Sequence, residues 1–254
     1  MDWIDTHCHL DAPEFDKDRD EILAQMQTYD IQALILPAVY FAEWPAIVKL
    51  NREHPHCYAS FGFHPLYLFQ HQPHQLSELN AWLLEHHAVA VGECGLDFYV
   101  PDLDVQLQEE WFVAQIRMAC DLDLPLIIHA RRSADAVLKC LKRFPSARGV
   151  IHSFAGSTQQ AEYLVKQGFY LGVGGTITYE RTQRLRAAIQ AMPLECLVLE
   201  TDAPDQPDSQ WRGQRNDFSR VPVIAQALAE LRHESLATIA KVTTANAKRL
   251  FKLE

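Results

Sequence analysis

The N-terminal stretch of the chain reads Ile4-Asp5-Thr6-His7-Cys8-His9-Leu10-Asp11, with two histidines two positions apart. Side chains at i and i+2 of a β-strand share one face, whereas in a helix they point roughly 200° apart. The β-branched residues Ile4 and Thr6 favour a strand, and a proline two residues beyond the stretch ends it. His7 and His9 therefore face the same way and could form half of a metal site. Two ordinary hydrogen-bonded histidines are the alternative for this motif taken alone.

The rest of the chain alternates short apolar runs with amphipathic segments. After the first strand, the apolar runs predict strands near 33–39, 58–63, 89–92, 126–128, 149–151, 169–171 and 197–199. The 3.6-residue periodicity predicts helices near 16–29, 44–53, 75–85, 105–122, 134–143, 159–166 and 181–191, then 223–231 and 235–251. Eight β/α alternations in 254 residues predict an α/β protein, a (β/α)8 TIM barrel in one domain over residues 1–254. The last two helices are expected to pack on the barrel.

Composition limits the classes of function that the chain can serve. Hydrophobic residues make up 48% of the sequence, enough for a large core, but no apolar run reaches the length of about 18 residues that a membrane span needs. The N-terminus lacks the basic and apolar regions of a signal peptide, and the six scattered cysteines predict reduced core residues, so we expect a cytoplasmic protein. The net charge of −10 argues against charge-driven coating of nucleic acid or membrane, although bound cations would reverse the local field.

Residues able to bind a metal follow four of the predicted strands. Catalytic groups in a barrel come from the C-terminal ends of its strands. Glu93 is predicted to end strand four, His129 strand five, His152 strand six and Asp202 strand eight. Together with the first two histidines, four imidazoles and two carboxylates are predicted at one rim. Burying so many polar groups without partners would cost several kcal/mol, and metal ions are the natural compensation.

The types and number of the predicted metal-binding side chains indicate which metal ions would bind and how many. Imidazole nitrogens outnumber carboxylate oxygens, which suits Zn²⁺, Mn²⁺ or a related first-row ion better than Ca²⁺, with Mg²⁺ also to be tested. Six residues are too many for one tetrahedral centre. They fit two divalent ions about 3.5 to 4 Å apart that share one carboxylate.

Five motifs together closely resemble the TatD family of metal-dependent deoxyribonucleases, which belongs to the wider amidohydrolase-like group of barrels. The motifs are His7-Cys8-His9, Gly92-Glu93-Cys94-Gly95-Leu96-Asp97, His129-Ala130-Arg131, His152-Ser153-Phe154 and Glu200-Thr201-Asp202-Ala203-Pro204. The resemblance runs over nearly the whole chain and includes Gly62-Phe63-His64-Pro65 and the Arg215-Asn216 pair. It implies a metal-dependent hydrolase of ester bonds, most specifically a phosphodiesterase.

The resemblance also implies a role for each metal-binding candidate. His7, His9 and Asp202 would hold one metal, His129 and His152 the other, and Glu93 would bridge them. A metal-activated water would attack phosphorus, with Asp202 orienting it or taking its proton.

Three residues are predicted on the substrate side. His64 resembles the family's substrate-side histidine, with a role behind the ligands or at a helix N-cap as the alternative. Arg131 could clamp a phosphate or balance nearby carboxylates. Arg215 lies in a late loop with Trp211 and Arg212, a combination that suits a nucleotide, although incidental arginines in a mobile loop fit as well.

Weaker signals concern the surroundings of the ligands. Strand alternation puts Asp5 beside His7 and Glu200 beside Asp202, where either carboxylate could accept a ligand imidazole's other N–H or form a barrel salt bridge. The glycine-rich 172–176 segment could bind phosphate or make a tight turn. Two departures from the family pattern, Phe98 and the Asp217-Phe218 pair, fall in loops expected at the rim and bear on substrate choice.

The leading function is therefore cleavage of DNA or oligonucleotides, exonuclease-like on single strands or strand ends, by a monomer that needs no protein partner and no membrane. One alternative is an amidase, deaminase or lactonase on the same barrel, although many such relatives use a carbamylated lysine where this chain has Glu93. The other alternative is a non-catalytic, metal-stabilised binding protein, against which the complete ligand set argues. Fold alone does not separate these functions.

Overall fold

The computed structural model describes residues 1–253. Within them, parallel strands form one sheet whose spatial order follows the sequence, as predicted for the (β/α)8 barrel. The strands are β1 Trp3–Asp5, β2 Ile31–Pro37, β3 Cys57–Phe61, β4 Ala90–Asp97, β5 Leu126–Arg131, β6 Gly149–Ile151, β7 Phe169–Val173 and β8 Leu197–Leu199.

The seam between the first and last strands closes at the C-terminal end of the barrel. Three backbone hydrogen bonds and one bridge make this closure: Thr6 N to Leu199 O at 3.0 Å, Asp202 N to His7 O at 2.8 Å, His9 N to Ala203 O at 2.7 Å, and the parallel bridge between Cys8 and Ala203. Because His7, His9 and Asp202 belong to the segments that close the seam, the backbone itself brings these side chains together.

Helices alternate with the strands, and two further helices follow β8. The helices are α1 Arg19–Leu23, α2 Trp44–Glu53, α3 Gln75–Glu85, α4 Val105–Asp121, α5 Ala134–Leu141, α6 Thr158–Lys166, α7 Gln183–Ala191, α8 Val221–Arg232 and α9 Leu236–Phe251. The last two pack against β1 and β8 and cover the seam, as predicted. In the part of the chain that the structure describes, no helix combines the length and apolar character of a membrane span.

Several elements differ from their predicted extent. The helix predicted over 16–29 is limited to Arg19–Leu23 and continues as turns to Asp30. Asp18, at the N-cap position of α1, makes no capping bond because its carboxylate pairs with Arg215. The predictions that Glu93 ends strand four and that His129 ends strand five are also wrong, because β4 and β5 pair as far as Asp97 and Arg131. Glu93 therefore projects from within the strand.

Apolar side chains fill the barrel below the rim. An interior cluster combines Ile4, Ile35, Ile127 and Val198 from four strands with Phe251 from α9. A larger cluster lies between the sheet and the surrounding helices. Such two-sided burial is typical of parallel sheets. The polar residues at the rim therefore stand on a rigid apolar base.

Gly172 in β7 is required by its contact with the neighbouring strand. A Cβ atom at this position would lie 2.2 Å from Glu200 Oε2, whereas one at Gly174 would lie 3.6 Å from Glu200 Cγ, an ordinary contact. The lack of space beside Glu200 is enough to explain why residue 172 is a glycine. No phosphate-binding role for the 172–176 segment is required to explain it.

We expect Gly172→Ala to lower the free energy of unfolding by about 1–3 kcal/mol, since overpacking forces a shift of neighbouring groups. Gly174→Ala is the matched control and is expected to change it far less. Thermal and urea denaturation of both variants would measure the difference. Equal stabilities would show that the Glu200 side chain moves aside at little cost.

Candidate metal centre

The C-terminal end of the barrel opens into a cleft of about 1510 Å³ formed by the loops that follow the strands. Predicted site residues that line it are His9, His64, Glu93, His129, Arg131, His152 and Asp202. His7 lies just beneath and is fully buried. The structure thus brings all six predicted metal ligands, from five different strands or strand ends, to one place.

The first group of donors comes from the two sides of the barrel seam. His7 Nε2 lies 3.1 Å from His9 Nε2, and Asp202 Oδ1 lies 3.5 Å from each of these nitrogens. His9 Nδ1 donates to the Pro37 carbonyl at 3.1 Å, which leaves the lone pair on Nε2. The backbone of Asp202 is left-handed, with φ of 59°. Such a conformation in a non-glycine residue persists only where the surroundings determine it.

Glu93 connects this group to a second one. Its Oε2 lies 3.1 Å from His7 Nε2. Its Oε1 lies 2.9 Å from His152 Nε2, 3.0 Å from His129 Nδ1 and 3.2 Å from His64 Nε2. The two oxygens of one carboxylate therefore face two different sets of imidazoles.

His129 is oriented by Asp97, a residue to which the sequence analysis gave no role. Asp97 Oδ2 accepts from His129 Nε2 at 2.9 Å, so the lone pair of the ring lies on Nδ1, towards Glu93 and 3.2 Å from His152 Nε2. Asp97 Oδ1 accepts the backbone N–H groups of Tyr99 and Val100. A carboxylate behind a histidine fixes its tautomer in many metal sites. Asp97 lies four residues after Glu93 in the same strand, and this spacing, which puts both side chains on one face, could have predicted its role.

His64 has a different orientation from the other histidines. It caps the 3₁₀ helix Pro65–Gln70, and its Nδ1 accepts the N–H of Leu66 at 3.2 Å. The proton of the neutral ring is then on Nε2, which donates to Glu93. The N-cap alternative for this residue is therefore observed. In this tautomer His64 offers a hydrogen-bond donor to the centre and no lone pair.

The pKa values within the cluster are strongly shifted in the absence of a cation. Burial would raise the pKa of Glu93, but the surrounding imidazoles, His152 foremost, hold it well below its usual range. Burial lowers the pKa of His7 to about 4, and the charge of His152 adds to this effect. Burial opposes protonation of His9, yet its hydrogen bond to Asp202 and the charge of Glu93 raise its pKa to about 10. The pKa values of two neighbouring histidines, His7 and His9, are thus shifted in opposite directions.

The donor set fits divalent metal ions. Three groups of side chains have nitrogen or oxygen atoms within 4.8 Å of one another: His7, His9 and Asp202; His7, Glu93 and His152; and His64, Glu93 and His129. The third group could bind a metal only if His64 took its other tautomer. The lone pairs of His9 and His129 point at other ring nitrogens only 3.1 and 3.2 Å away. Two ring nitrogens this close need a proton or a metal ion between them. Mixed imidazole and carboxylate donors suit first-row metals.

Asp202 accepts a hydrogen bond from Gln206, a contact that the sequence did not predict. Gln206, in the loop after β8, donates its side-chain amide to Asp202 Oδ2, while Oδ1 faces His7 and His9. The amide therefore sets which oxygen faces the donor cluster. The sequence signal for this contact is limited to a polar residue four positions after Asp202.

The two carboxylates predicted to accept a hydrogen bond from a ligand imidazole accept from backbone N–H groups and from a hydroxyl instead. Asp5 accepts from the N–H of His7 and from both the N–H and the hydroxyl of Thr201, so it joins β1 to the segment after β8. Burial raises its pKa to about 7. Glu200 accepts the N–H of Ser153, beside His152. The predicted bonds from these carboxylates to imidazole N–H groups, and the salt-bridge alternative, are not formed.

Arg215, which was predicted to bind substrate, is not among the residues that line the cleft. Its guanidinium group makes a bidentate pair with Asp18, donates to the Glu14 carbonyl and stacks on Phe15. Its hydrogen-bonding groups are therefore used in fastening the late loop to α1. Trp211, from the same loop, packs against Arg220.

Replacing Asp97 by asparagine is expected to weaken metal binding by about 10- to 100-fold. Two backbone N–H groups hold Oδ1, so the new NH2 would face His129 Nε2 and force the ring proton onto Nδ1. The lone pair that faces Glu93 would be lost. Competition titration with a metal-sensitive dye measures the affinity, and Asp104→Asn, which keeps a capping side chain at α4, is the control. Unchanged affinity in Asp97→Asn would mean that His129 is not a ligand.

A (β/α)8 barrel with histidines and carboxylates clustered at the C-terminal ends of its strands defines the class of barrel metal-dependent hydrolases. Residues 4–252 match the family described as TatD related DNase, and the chain belongs to the TatD family. It is 38% identical to YjjV of Escherichia coli K12, an uncharacterized metal-dependent hydrolase, over 98% of this chain and 97% of that protein. It is 32% identical to the 3′-5′ ssDNA/RNA exonuclease TatD of Escherichia fergusonii, over 98% of each.

A solved structure agrees with the sequence comparison. The crystal structure of Escherichia coli YjjV, a TatD homologue, superposes with a TM-score of 0.95 at 37% identity and covers 99% of this chain and 98% of that chain. The protein is a metal-dependent hydrolase, and its cleft holds the candidate metal-binding residues.

Proposed function

We propose that this protein hydrolyses phosphodiester bonds in nucleic acid, as an exonuclease on single strands or strand ends, with two divalent ions in the cleft. The observation that carries the proposal is the position of Glu93, whose two oxygens face different groups of imidazoles. A shared carboxylate is typical of two-metal sites that cleave phosphate esters. The relationship to an exonuclease named for single-stranded DNA and RNA supports the same substrate class.

The donor atoms divide between the two ions as follows. His7, His9 and Asp202 would hold one, His129 and His152 the other, and Glu93 would contact both. Bound there, the ions would lower the pKa of a coordinated water towards neutrality and neutralise charge on the phosphate oxygens. All of these donors come from one chain, so we propose that the monomer is sufficient for activity.

The chain's own side chains would supply the remaining steps. Asp202, whose pKa lies below its usual range, stays ionised and can accept a proton from the attacking water. Burial would raise this pKa, but the hydrogen bond with His9 and the charges of His152 and His7 lower it. The Nε2–H group of His64 points to the centre and can donate a hydrogen bond to a phosphate oxygen. Arg131 lies exposed at the edge of the cleft, where its guanidinium group can bind a phosphate.

The test is cleavage of 5′- and 3′-labelled single-stranded DNA by chelator-stripped protein with Mg²⁺, Mn²⁺ or Zn²⁺ added back. We expect no products without metal, a ladder of shortened products with metal, and none from Glu93→Ala under either condition. The label that is lost first gives the polarity. Closed circular duplex should resist cleavage. Failure to cleave DNA or RNA by protein with two bound metals per chain would instead favour hydrolysis of an amide or a carboxylic ester.

A further inference from the structure

Three arginines line the cleft without a carboxylate partner. Arg131 is the last residue of β5, Arg132 follows it, and Arg184 lies in α7. None of their guanidinium groups forms a salt bridge or donates a hydrogen bond within residues 1–253, whereas those of Arg215 and Arg220 outside the cleft are paired with carboxylates. Asp135 lies on the same side of the cleft and accepts from Gln160. Unpaired guanidinium groups in a cleft favour an anionic ligand.

Tyr99 holds two of these arginines in place. Its ring centre lies 3.7 Å from Arg131 Cζ and 4.7 Å from Arg132 Cζ. Stacking on an aromatic ring orients a guanidinium group and leaves its N–H groups free at the edge. Tyr99 is 47% exposed, and its backbone N–H is bound by Asp97, the residue that orients His129. The arginine pair is therefore fixed relative to the metal centre.

The backbone also indicates a fixed arrangement. Arg132 has a left-handed φ of 54°, an unfavourable conformation for a non-glycine residue. The hydroxyl of Ser133 donates to the Leu96 carbonyl at 2.6 Å and ties this turn to β4. Strained residues of this kind cluster at ligand-binding sites.

The opposite side of the cleft carries the opposite charge. Asp11 and Glu14 follow β1, and Glu43 follows β2. In an eight-stranded barrel β1 and β2 lie across from β5 and β6, so these carboxylates face the arginines across the metal centre. A phosphate placed on the β1–β2 side would be repelled, and one on the β5 side would be attracted.

We propose that Arg131, Arg132 and Tyr99 form a second phosphate-binding subsite, which holds the phosphate next to the scissile one on one side of the substrate strand only. Arg184 extends the same positive surface. This inference rests on the proposed function and goes beyond it, because it states that the enzyme binds its strand in one direction and needs a second phosphate. It also explains why an acidic protein can bind a polyanion in its cleft.

The test compares three short substrates with the metal-loaded enzyme: TpT, pTpT and TpTp. Each contains one internucleotide phosphodiester bond, and the last two add a phosphate at the 5′ or the 3′ end. We expect kcat/KM for one of them to exceed that for TpT by about 10-fold or more, the effect of a charge-assisted hydrogen bond. The other should gain nothing, because its extra phosphate faces the carboxylates.

Variants identify the groups responsible. Arg132→Ala and Tyr99→Leu are expected to reduce the ratio of kcat/KM for the preferred substrate to that for TpT by about 5-fold or more. Arg117→Ala removes an equally exposed arginine from α4, outside the cleft, and should leave the ratio unchanged. Equal gains from both added phosphates, or a ratio that Arg132→Ala does not alter, would overturn the subsite while leaving the nuclease function in place.

A binding measurement keeps the two proposals separate. The affinity for a base-labelled tetrathymidylate is measured by fluorescence anisotropy over a series of salt concentrations. Arg132→Ala is expected to weaken binding by about 10-fold and to reduce the salt dependence by about one unit of log Kd per log [salt]. Arg117→Ala should do neither. Oligonucleotide binding that depends on Arg132 in an enzyme that cuts no phosphodiester would retain the subsite and reject the nuclease function, and binding independent of Arg132 would reject the subsite.

Discussion

Glu93→Ala is expected to lower kcat/KM for single-stranded DNA by about 10³-fold or more, because it removes the carboxylate that both groups of imidazoles face. The side chain is 2% exposed and lies within 3.2 Å of four histidine nitrogens. Its loss leaves these imidazoles without a shared anion, so binding of two cations close together becomes unfavourable. Metal content after gel filtration, measured by mass spectrometry, should fall below two ions per chain.

The matched control is Glu43→Ala, which also removes a glutamate that lines the cleft. Glu43 lies apart from the three donor groups, so its replacement should change kcat/KM by less than about tenfold and leave the metal content unchanged. Circular dichroism establishes that both variants fold. Full activity in a folded Glu93→Ala protein would exclude a bridging role for this carboxylate.

Asp202→Asn is expected to have the second-largest effect, a loss of about 10²- to 10³-fold in kcat with a smaller change in metal affinity. Asparagine tolerates the left-handed backbone at this position, where φ is 59°, so the variant should fold. Gln206 can rotate its amide to accept from the new NH2, which leaves the amide oxygen facing His7 and His9. A metal ligand would remain, but the negative charge and the proton acceptor would be lost.

Asp205→Asn is the control for this variant, because it changes an exposed aspartate in the same loop that is outside the donor groups. We expect a change in kcat of less than about tenfold. Single-turnover rates separate chemistry from product release. If Asp202→Asn lost its metals and Asp205→Asn kept them, with kcat per loaded site unchanged, Asp202 would be a ligand without a role in proton transfer.

Several features were predictable because they depend on local periodicity. The alternation of apolar runs and amphipathic segments predicted the barrel, and the bounds of α2, α3, β6 and β8 agree with the predicted ranges. The period-2 alternation of an extended strand predicted that His7 and His9 face the same way. The rule that parallel strands end at one rim predicted which donors would meet. These features could be predicted from the strand periodicity and the barrel topology alone.

Other features depend on contacts between segments that are far apart in the chain. Two arginines illustrate this: Arg215 is bound by Asp18 outside the cleft, whereas Arg132, which had no predicted role, is stacked on Tyr99 within it. Both arginines lie in loops without periodicity. No local pattern distinguishes a paired guanidinium group from a free one.

The sequence alone therefore determined the barrel and the identity of the donor side chains, since these follow from strand periodicity and from residue type at strand ends. Only the tertiary structure decided which ring nitrogen of each histidine faces the centre. Pro37, Asp97 and Leu66 set these tautomers for His9, His129 and His64, and each partner comes from a backbone or side-chain group placed by the folded loops. A hydrogen bond needs its partner within about 3 Å. Packing of distant segments brings the partners this close, and the periodicity of the chain does not predict that packing.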